Sequence, residues 1–281
     1  MPNLNLFKFS VFLFFYSIPS SCSGAIISKS VILTAAHCVK LDPWWWPTKL
    51  VNPSNVFVTF GHSDLGNAKN MSVKSILIHP NYNYYRDNDL ALLKLSNDLE
   101  FNDAIQPISL PSPNYTKYDL LFEELIFAGY GSEEINITAK KVNFMKKLEV
   151  DLTISTCNNH LYQVDDEKYD SLLFSSTHGL WFGDSGGPLM KIAPNFNNPE
   201  VVGIAMALET CSNELLQNED TVSIYSSVSF HVPWIQTNLG NFDDYTNLNL
   251  DWKIATGILI LELHLVFFVV VEPFISRILC Y

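Results

Sequence analysis

The chain has 281 residues, a formal net charge of −12 and 48% hydrophobic residues. This length accommodates one β-rich domain with short extensions, or two small domains, and a charged content of only 16% argues against a disordered chain. The acidic balance excludes a nucleic-acid partner, because binding to phosphates needs clustered lysine and arginine. The five cysteines are an odd number, so at least one of them has no partner within the chain.

An apolar run at residues 4–18 opens the chain, and two interpretations of it are open. It resembles a secretory signal peptide that ends in small residues, although Lys8 interrupts the run. Residues 11–16 also have the composition of a first β-strand. Residues 1–21 are therefore assigned as a signal-like or first-strand segment.

Short β-forming segments separated by turn signals follow from Cys22 to Leu239. The predicted strands are 25–27, 31–34, 55–60, 73–78, 90–95, 125–128, 147–152, 201–207 and 222–228. Because strands and helices do not alternate, this spacing predicts an all-β sandwich or barrel. Apolar residues at helical spacing predict a closing helix over residues 228–239, with Pro233 in its first turn.

Three Asn-X-Ser/Thr sequons are candidate glycosylation sites, at Asn70, Asn114 and Asn136. Each lies in a predicted loop, where a glycan is tolerated. Three such sites are compatible with secretion, and the predicted location is extracellular.

A Gly-rich hexapeptide, Gly183 to Pro188 (GDSGGP), is the sharpest chemical signal. A serine becomes a nucleophile when a tight exposed turn presents its hydroxyl beside a base. The flanking glycines permit such a turn and let a substrate carbonyl approach the backbone amides. Ser185 is therefore a candidate nucleophile.

Two further segments supply candidates for a base and an acid. The sequence TAAHC places His37 at the end of an apolar run, and DNDLALLKL places Asp89 at the start of a predicted strand. Taken singly, such a histidine is usually structural, and such an acid is usually a solvated turn residue. Considered together with Ser185, however, the two residues complete a candidate set of base, acid and nucleophile.

Together the three segments resemble the trypsin/chymotrypsin family of serine endopeptidases, from Cys22 to about Leu239. The resemblance implies an all-β fold of two six-stranded antiparallel β-barrels, with the active site between them and a C-terminal helix. It places a protease domain at residues 22–240, followed by a linker and a hydrophobic tail at residues 241–281.

The resemblance also assigns roles. His37 would act as general base and then acid, Asp89 would orient it, and Ser185 would attack the scissile carbonyl. The backbone N–H groups of Gly183 and Ser185 would form the oxyanion hole. The implied reaction is hydrolysis of a peptide bond through an acyl-enzyme. Its partners would be protein or peptide substrates and protein inhibitors, with no metal or organic cofactor.

The specificity pocket departs from the usual family pattern. Gly179 stands at the pocket floor, where an acid would select basic side chains, and the walls would include Met206, Leu208 and Ser223. Leu208 replaces a small residue, so the resemblance implies small or medium apolar specificity or a blocked pocket. The insert Trp44–Trp46 is either a packed aromatic loop or a lip that contacts substrate.

The cysteines match the family only in part. Cys22 and Cys38 match a disulfide beside the catalytic histidine. Cys157 and Cys211 match positions whose usual partners are missing here, so they either pair with each other or remain thiols. Cys280 lies in the tail.

The activation segment of the family is also missing from the sequence. Family members free an Ile-Val-Gly-Gly-like end whose ammonium pairs with the aspartate matched by Asp184, and no such motif precedes Cys22. Asp184 is thus expected to lack its partner, in a truncated chain or a zymogen-like one. This departure supports an alternative function, a catalytically silent homologue that acts as a binding or regulatory module.

A second apolar run covers residues 254–271 near the end of the chain. It is close to the minimum length of a spanning helix, and Glu262 offsets much of its favourable insertion energy. A membrane tether through 254–271, a cleaved lipid-anchor signal and a frayed end are the open alternatives.

Overall fold

The computed structural model describes residues 8–16, 21–41, 49–83, 88–131, 145–153, 172–175, 179–192, 198–213 and 218–240. The chain divides into two units, Met1–Gln236 and Thr237–Tyr281, and only residues 237–240 of the second unit are described. Several predicted features lie outside the described residues: Trp44–Trp46, Asn136, Cys157, the side chain of Cys211, residues 254–271 and Cys280.

Six antiparallel strands close the first barrel. They are β1 (Ser10–Phe15), β2 (Ser21–Ile26), β3 (Val31–Thr34), β6 (Val56–Phe60), β7 (Lys69–Ile78) and β8 (Ala91–Leu95). Their order around the barrel is β1-β2-β3-β8-β7-β6. A separate ribbon pairs β4 (Lys40–Leu41) with β5 (Lys49–Leu50).

Strand β1 lies in the barrel wall and follows the period of two that a half-buried strand requires. Val11, Leu13 and Phe15 are buried, whereas Phe14 is exposed. Leu13 pairs with Cys22 on one side and with Val58 on the other. Of the two interpretations of the amino-terminal run, the structure therefore shows a strand at residues 10–15, ahead of the predicted domain start at residue 22.

The second sheet is built from the later half of the chain. Its strands are β9 (Leu125–Gly129), β10 (Lys146–Val150), β11 (Leu152–Thr153), β12 (Leu172–Ser175), β13 (Pro188–Lys191), β14 (Glu200–Asn213) and β15 (Asn218–Ser227). They pair in the order β10-β9-β13-β14-β15-β12-β11. Only Asp151 separates β10 from β11. Counted as one bent strand, they join the ends of a six-stranded barrel, so the predicted pair of six-stranded barrels is confirmed.

A buried cluster fills the second barrel. Phe127 of β9 and Tyr225 of β15 lie in it with ring centroids 6.2 Å apart, and Leu189 of β13 packs with them. Burial raises the pKa of Tyr225 above its ordinary value, and the charge of Asp184 adds to this effect. Leu189 thereby joins the segment just after Ser185 to the core of the second barrel.

The described helices are a four-residue α1 (Lys117–Leu120) and a C-terminal α2 at residues 228–240. Helix α2 confirms the predicted closing helix, but Pro233 is its sixth residue and not in its first turn. Proline removes one intrahelical hydrogen bond, and the buried residues Val228, Val232 and Ile235 offset that loss. Within the described segments, no helix combines the length and apolar character needed to cross a membrane.

Two of the three sequons can be located. Asn114 is exposed in a turn ahead of α1, as predicted. Asn70 is exposed but lies in β7, where it pairs with Thr59 of β6, so its predicted loop position is wrong. The polar start of β7 has the composition of a turn, and pairing with β6 extends the strand through it.

Candidate active site

A short 3₁₀ helix at Ala36–Cys38 presents the candidate base. It follows the end of β3 at Thr34, and Ala36 is buried at the turn. A disulfide with an S–S distance of 2.04 Å joins Cys38 to Cys22 of β2. His37 is thus held between two strands of the first barrel, with 34% of its side chain exposed.

A buried carboxylate grips His37 at two points. Asp89 is fully buried, and its Oδ1 accepts the backbone N–H of His37 at 2.8 Å. Its Oδ2 lies 2.6 Å from His37 Nδ1. A carboxylate oxygen accepts only, so Nδ1 carries the proton and Nε2 has its lone pair free. This is the tautomer that a general base at Nε2 requires.

The backbone around Asp89 is anchored to the second barrel. Ser226 Oγ of β15 donates to the Asp89 carbonyl at 3.3 Å. The preceding residue, Asn88, has a positive φ of 54°, and its Oδ1 lies 3.2 Å from His231 Nε2 on α2. The candidate acid is therefore fixed through its main chain as well as through His37.

The candidate nucleophile lies in a tight turn just before β13. The Asp184 N–H donates to the Trp181 carbonyl at 2.9 Å, and the Gly187 N–H donates to the Asp184 carbonyl at 2.9 Å. The φ values of Gly183 and Gly186 are 101° and 81°. A side chain would strain both positions, which explains why the turn needs glycine there.

The backbone N–H groups of Gly183 and Ser185 donate to no other described residue, so both are available to an incoming oxyanion. The Oγ of Ser185 likewise forms no hydrogen bond within the described segments, and His37 Nε2 lies 3.9 Å from Cys38 Sγ. Catalytic hydrogen bonds are commonly long before substrate binds. Within the described segments the turn and the His37–Asp89 pair are both present, but no hydrogen bond joins Ser185 to His37.

The Asp184 carboxylate is buried but hydrogen-bonded, which corrects the expectation of an unpaired charge. Its Oδ1 accepts the Gly131 N–H at 2.9 Å, and its Oδ2 accepts the Trp181 N–H at 2.7 Å. Hydrogen bonds from backbone amides stabilise a buried carboxylate. This charge therefore has polar partners from two segments of the second barrel.

One group of potential metal ligands occurs among the described residues. The ligand atoms of Cys22, His37 and Cys38 lie within 4.8 Å of one another. Both sulfurs form the disulfide, however, and a metal needs thiolates. The group does not fit a metal site in this state.

The predicted pocket residues are only partly brought together. Leu208 of β14 and Ser223 of β15 are paired neighbours. Met206 is instead buried in a hydrophobic cluster with Ile224, and its sulfur lies 3.6 Å from Ser226 Oγ. Gly179 has a φ of 138°, and a Cβ built there would lie 2.8 Å from a methyl group of Leu148.

Comparison with known proteins identifies the family of this chain. The sequence profile of the family described as Trypsin matches residues 3–235. The chain belongs to the trypsin family. Its relatives in that family include serine endopeptidases, and the fold and the order of His37, Asp89 and Ser185 agree with this membership.

Three relatives in the trypsin family show how much of this chain is matched and at what identity. Trypsin-1 of Astacus astacus is 29% identical over 226 residues, which cover 77% of this chain and 87% of the relative. The clotting factor G beta subunit of Tachypleus tridentatus is 28% identical over 232 residues, which cover 76% and 70%. The CLIP domain-containing serine protease B15 of Anopheles gambiae is 28% identical over 240 residues, which cover 77% and 60%.

Two residues near this trypsin-family site escaped the sequence analysis. Ser226 lies on β15 among other serines, and nothing in the local sequence shows that it reaches the Asp89 carbonyl. Leu148 lies in a predicted strand, where alternation could have placed it inside, but not beside Gly179.

Proposed function

We propose that this protein is an extracellular serine endopeptidase that uses Ser185 as nucleophile, His37 as base and Asp89 as the group that orients the base. The observation that carries the proposal is the double hydrogen bond from His37 to the buried Asp89, at 2.8 and 2.6 Å. These two hydrogen bonds favour the His37 tautomer whose Nε2 can accept a proton. The residue proposed to give up that proton is Ser185, which lies in a turn flanked by glycines.

Each step of the reaction has a group to perform it. His37 Nε2 accepts the proton of Ser185 Oγ as the hydroxyl attacks the substrate carbonyl, and it later returns the proton to the leaving amine. The oxyanion that forms accepts hydrogen bonds from the Gly183 and Ser185 amides. Water then hydrolyses the acyl-enzyme, and no step requires a metal or an organic cofactor.

A second function is supported by one specific observation. Ser185 Oγ makes no hydrogen bond to His37 among the described residues, and a silent homologue would retain this separation when ligands bind. Such a protein would act as a binding or regulatory module. The two functions differ in whether Ser185 reacts.

Labelling with a fluorophosphonate probe separates them. Secreted wild-type protein is expected to react covalently, and Ser185→Ala is expected to remain unlabelled with the same thermal unfolding midpoint. The matched control Ser54→Ala removes an exposed hydroxyl that bonds only to Asn52, and it should label like the wild type. A folded wild-type chain that does not label would favour the silent homologue.

We also propose that the enzyme prefers small or medium apolar side chains before the cleaved bond. Gly179 brings no charge to the pocket floor, and the Leu148 methyl group lies where a side chain at residue 179 would begin. Leu148 itself packs against the apolar core of the second barrel. A basic substrate side chain would therefore find no carboxylate at this position.

Digestion of a peptide library tests the specificity. Cleavage after apolar residues is expected, and a strong preference for arginine would refute it. Because Leu148 occupies the space, Gly179→Asp alone should not create cleavage after arginine. The double variant Gly179→Asp with Leu148→Ala is the matched comparison, since it provides room for the carboxylate.

We infer that the protein is secreted and glycosylated at Asn114. The exposed turn at this sequon is accessible to a glycosyltransferase, and the Cys22–Cys38 disulfide suits an oxidising compartment. A protease domain that includes β1 and ends with α2 would be the secreted unit. Loss of a mass shift on Asn114→Gln in protein from the culture medium would verify the glycan.

A further inference from the structure

Ser23 of β2 connects the two barrels at the turn that carries Ser185, residues 183–187, called here the nucleophile turn. It is fully buried and directly follows Cys22. Its N–H donates to the Ser185 carbonyl at 2.7 Å, and its hydroxyl donates to the Gly183 carbonyl at 2.8 Å. The same hydroxyl accepts the N–H of Tyr130 at 3.0 Å. One residue of the first barrel thus contacts two residues of the nucleophile turn.

These contacts hold the peptide planes on both sides of the Ser185 amide. The Gly183 carbonyl shares a plane with the Asp184 N–H, which donates to Trp181 at 2.9 Å. The Ser185 carbonyl shares a plane with the Gly186 N–H, which donates to Ala205 at 2.7 Å. The peptide between them carries the Ser185 N–H, so its orientation depends on both neighbours.

Without the Ser23 hydroxyl, the first of these planes would lose its hydrogen bond to the other barrel. Gly183 has a φ of 101°, in a region of backbone conformation that glycine adopts readily and other residues do not. Because glycine has a wide choice of backbone conformations, a hydrogen bond from outside the turn is important in fixing this one. The hydroxyl is buried and uses its one proton on the Gly183 carbonyl. A buried hydrogen bond of this kind restricts the turn more than an exposed one.

We propose that Ser23 is a positioning residue for the oxyanion hole: its hydroxyl fixes the Gly183–Asp184 peptide, so that the Gly183 and Ser185 amides point toward one oxygen. This inference rests on the proposed function, because it concerns stabilisation of the oxyanion formed on attack by Ser185. Ser23 touches no reacting atom and acts only through the turn. Its effect therefore belongs to the chemical step and not to substrate binding.

The test uses the full-length secreted chain and the fluorophosphonate probe, with the maximal labelling rate and the probe's half-saturating concentration measured separately. Ser23→Ala is expected to lower the maximal rate by about 10- to 100-fold, less than the loss of a whole oxyanion-hole donor. The half-saturating concentration should change by less than about threefold, since the hydroxyl does not face the probe.

A matched control is available in the same barrel. Ser10 of β1 is also fully buried, and its Oγ has no hydrogen-bond partner among the described residues. Ser10→Ala makes the same chemical change without touching the nucleophile turn, and its labelling rate should equal that of the wild type. Thermal unfolding of each variant verifies that it is folded.

A second readout isolates the oxyanion. A peptide aldehyde with an apolar side chain forms a tetrahedral adduct with Ser185, whereas the matching peptide alcohol does not. Ser23→Ala should weaken the aldehyde by the same factor as the labelling rate and leave the alcohol unchanged. If Ser23→Ala does not fold, Ser23→Gly deletes the same hydroxyl and is measured in its place.

The possible outcomes are distinct. An unchanged labelling rate and aldehyde affinity in a folded Ser23 variant would overturn the inference, as would an equal loss of aldehyde and alcohol binding. A wild-type chain that does not label would instead reject the proposed function itself. Selective loss of the labelling rate and aldehyde affinity supports Ser23 as a positioning residue.

Discussion

Which ring nitrogen of His37 carries the proton determines whether Nε2 can act as a base. The carboxylate of Asp89 fixes that proton on Nδ1 at 2.6 Å, and it also holds the backbone of the same residue. An amide in place of the carboxylate would offer a donor to Nδ1 and favour the opposite tautomer. In the proposed mechanism, Asp89 would therefore assist His37 by orientation as well as by charge.

Asp89→Asn is expected to lower the fluorophosphonate labelling rate on the order of 10⁴-fold, because Nε2 would carry the proton. The rate constant for labelling is the measurement, and thermal unfolding is its companion. Asp98→Asn is the matched control, since that acid is exposed and paired with Lys29 on the surface. Equal labelling by both variants would exclude the proposed role of Asp89.

Gly186→Ala is expected to lower the free energy of unfolding by more than about 2 kcal/mol. Its φ of 81° disfavours a side chain, and a Cβ there would collide with the Ser23 carbonyl and Thr34 Oγ1. Gly66→Ala is the control, because its Cβ would meet only the Asp64 side chain. Denaturant unfolding of both variants gives the comparison, and a neutral Gly186→Ala would contradict the structure.

The sequence identifies the proposed catalytic residues more readily than the residues that hold them in place. Ser185, His37 and Asp89 lie in segments whose local composition reflects their chemistry. Ser23 and Ser226 lie in serine-containing segments, and their hydrogen-bond partners lie 160 and 137 positions away along the chain. Contacts over such separations depend on how the strands are arranged, so no local pattern reveals them.

At the scale of elements, β1 shows how alternation identifies a barrel strand. The side chains at 11, 13 and 15 are buried, and 14 is exposed, although nearly all of the segment is apolar. Composition alone therefore could not separate a strand from a signal sequence. Pairing with β2 and β6 on both sides is what makes it part of the wall.

Leu13→Ala is expected to lower the free energy of unfolding by about 2–5 kcal/mol, as for other large-to-small core substitutions. Leu13 is fully buried in the barrel. Phe14→Ala on the same strand should cost much less, because Phe14 is 38% exposed. Chemical denaturation of the secreted variants measures both, and equal effects would contradict the position of β1 in the barrel.

The errors at element ends have a common physical origin. The polar start of β7 pairs with β6, and Pro233 is accommodated within α2 because one helix face is buried. In both places a tertiary contact outweighs the local preference. Element type was therefore predictable from the sequence, but these boundaries were not.

At the scale of the whole fold, two buried histidines and a partly buried tryptophan join the first barrel to α2. The rings of His79, just after β7, and Trp234 of α2 have centroids 4.7 Å apart, and His231 lies 5.2 Å from His79. Burial, and next the charge of His231, lowers the pKa of His79 to about 4. Burial also lowers the pKa of His231, against a hydrogen bond to the Ser227 carbonyl.

The stability of the fold should consequently fall as the pH falls from about 6.5 to about 4. The unfolded chain binds protons at these histidines in a range where the folded chain does not, so acid favours unfolding. Thermal unfolding midpoints measured across this range give the profile. His79→Phe keeps a ring against Trp234 but does not titrate, so its profile should be shallower, and an identical slope would contradict the prediction.

The hydrogen bonds from Ser23 make the labelling of Ser185 depend on the contact between the two barrels. His37 and Asp89 belong to one barrel and the turn around Ser185 belongs to the other, and Ser23 forms hydrogen bonds between them. Covalent labelling of Ser185 would then report the docking of two halves of the chain as well as the chemistry of one serine. A substitution that loosened the contact between the barrels would then lower the labelling of Ser185 without changing any of the three proposed catalytic residues.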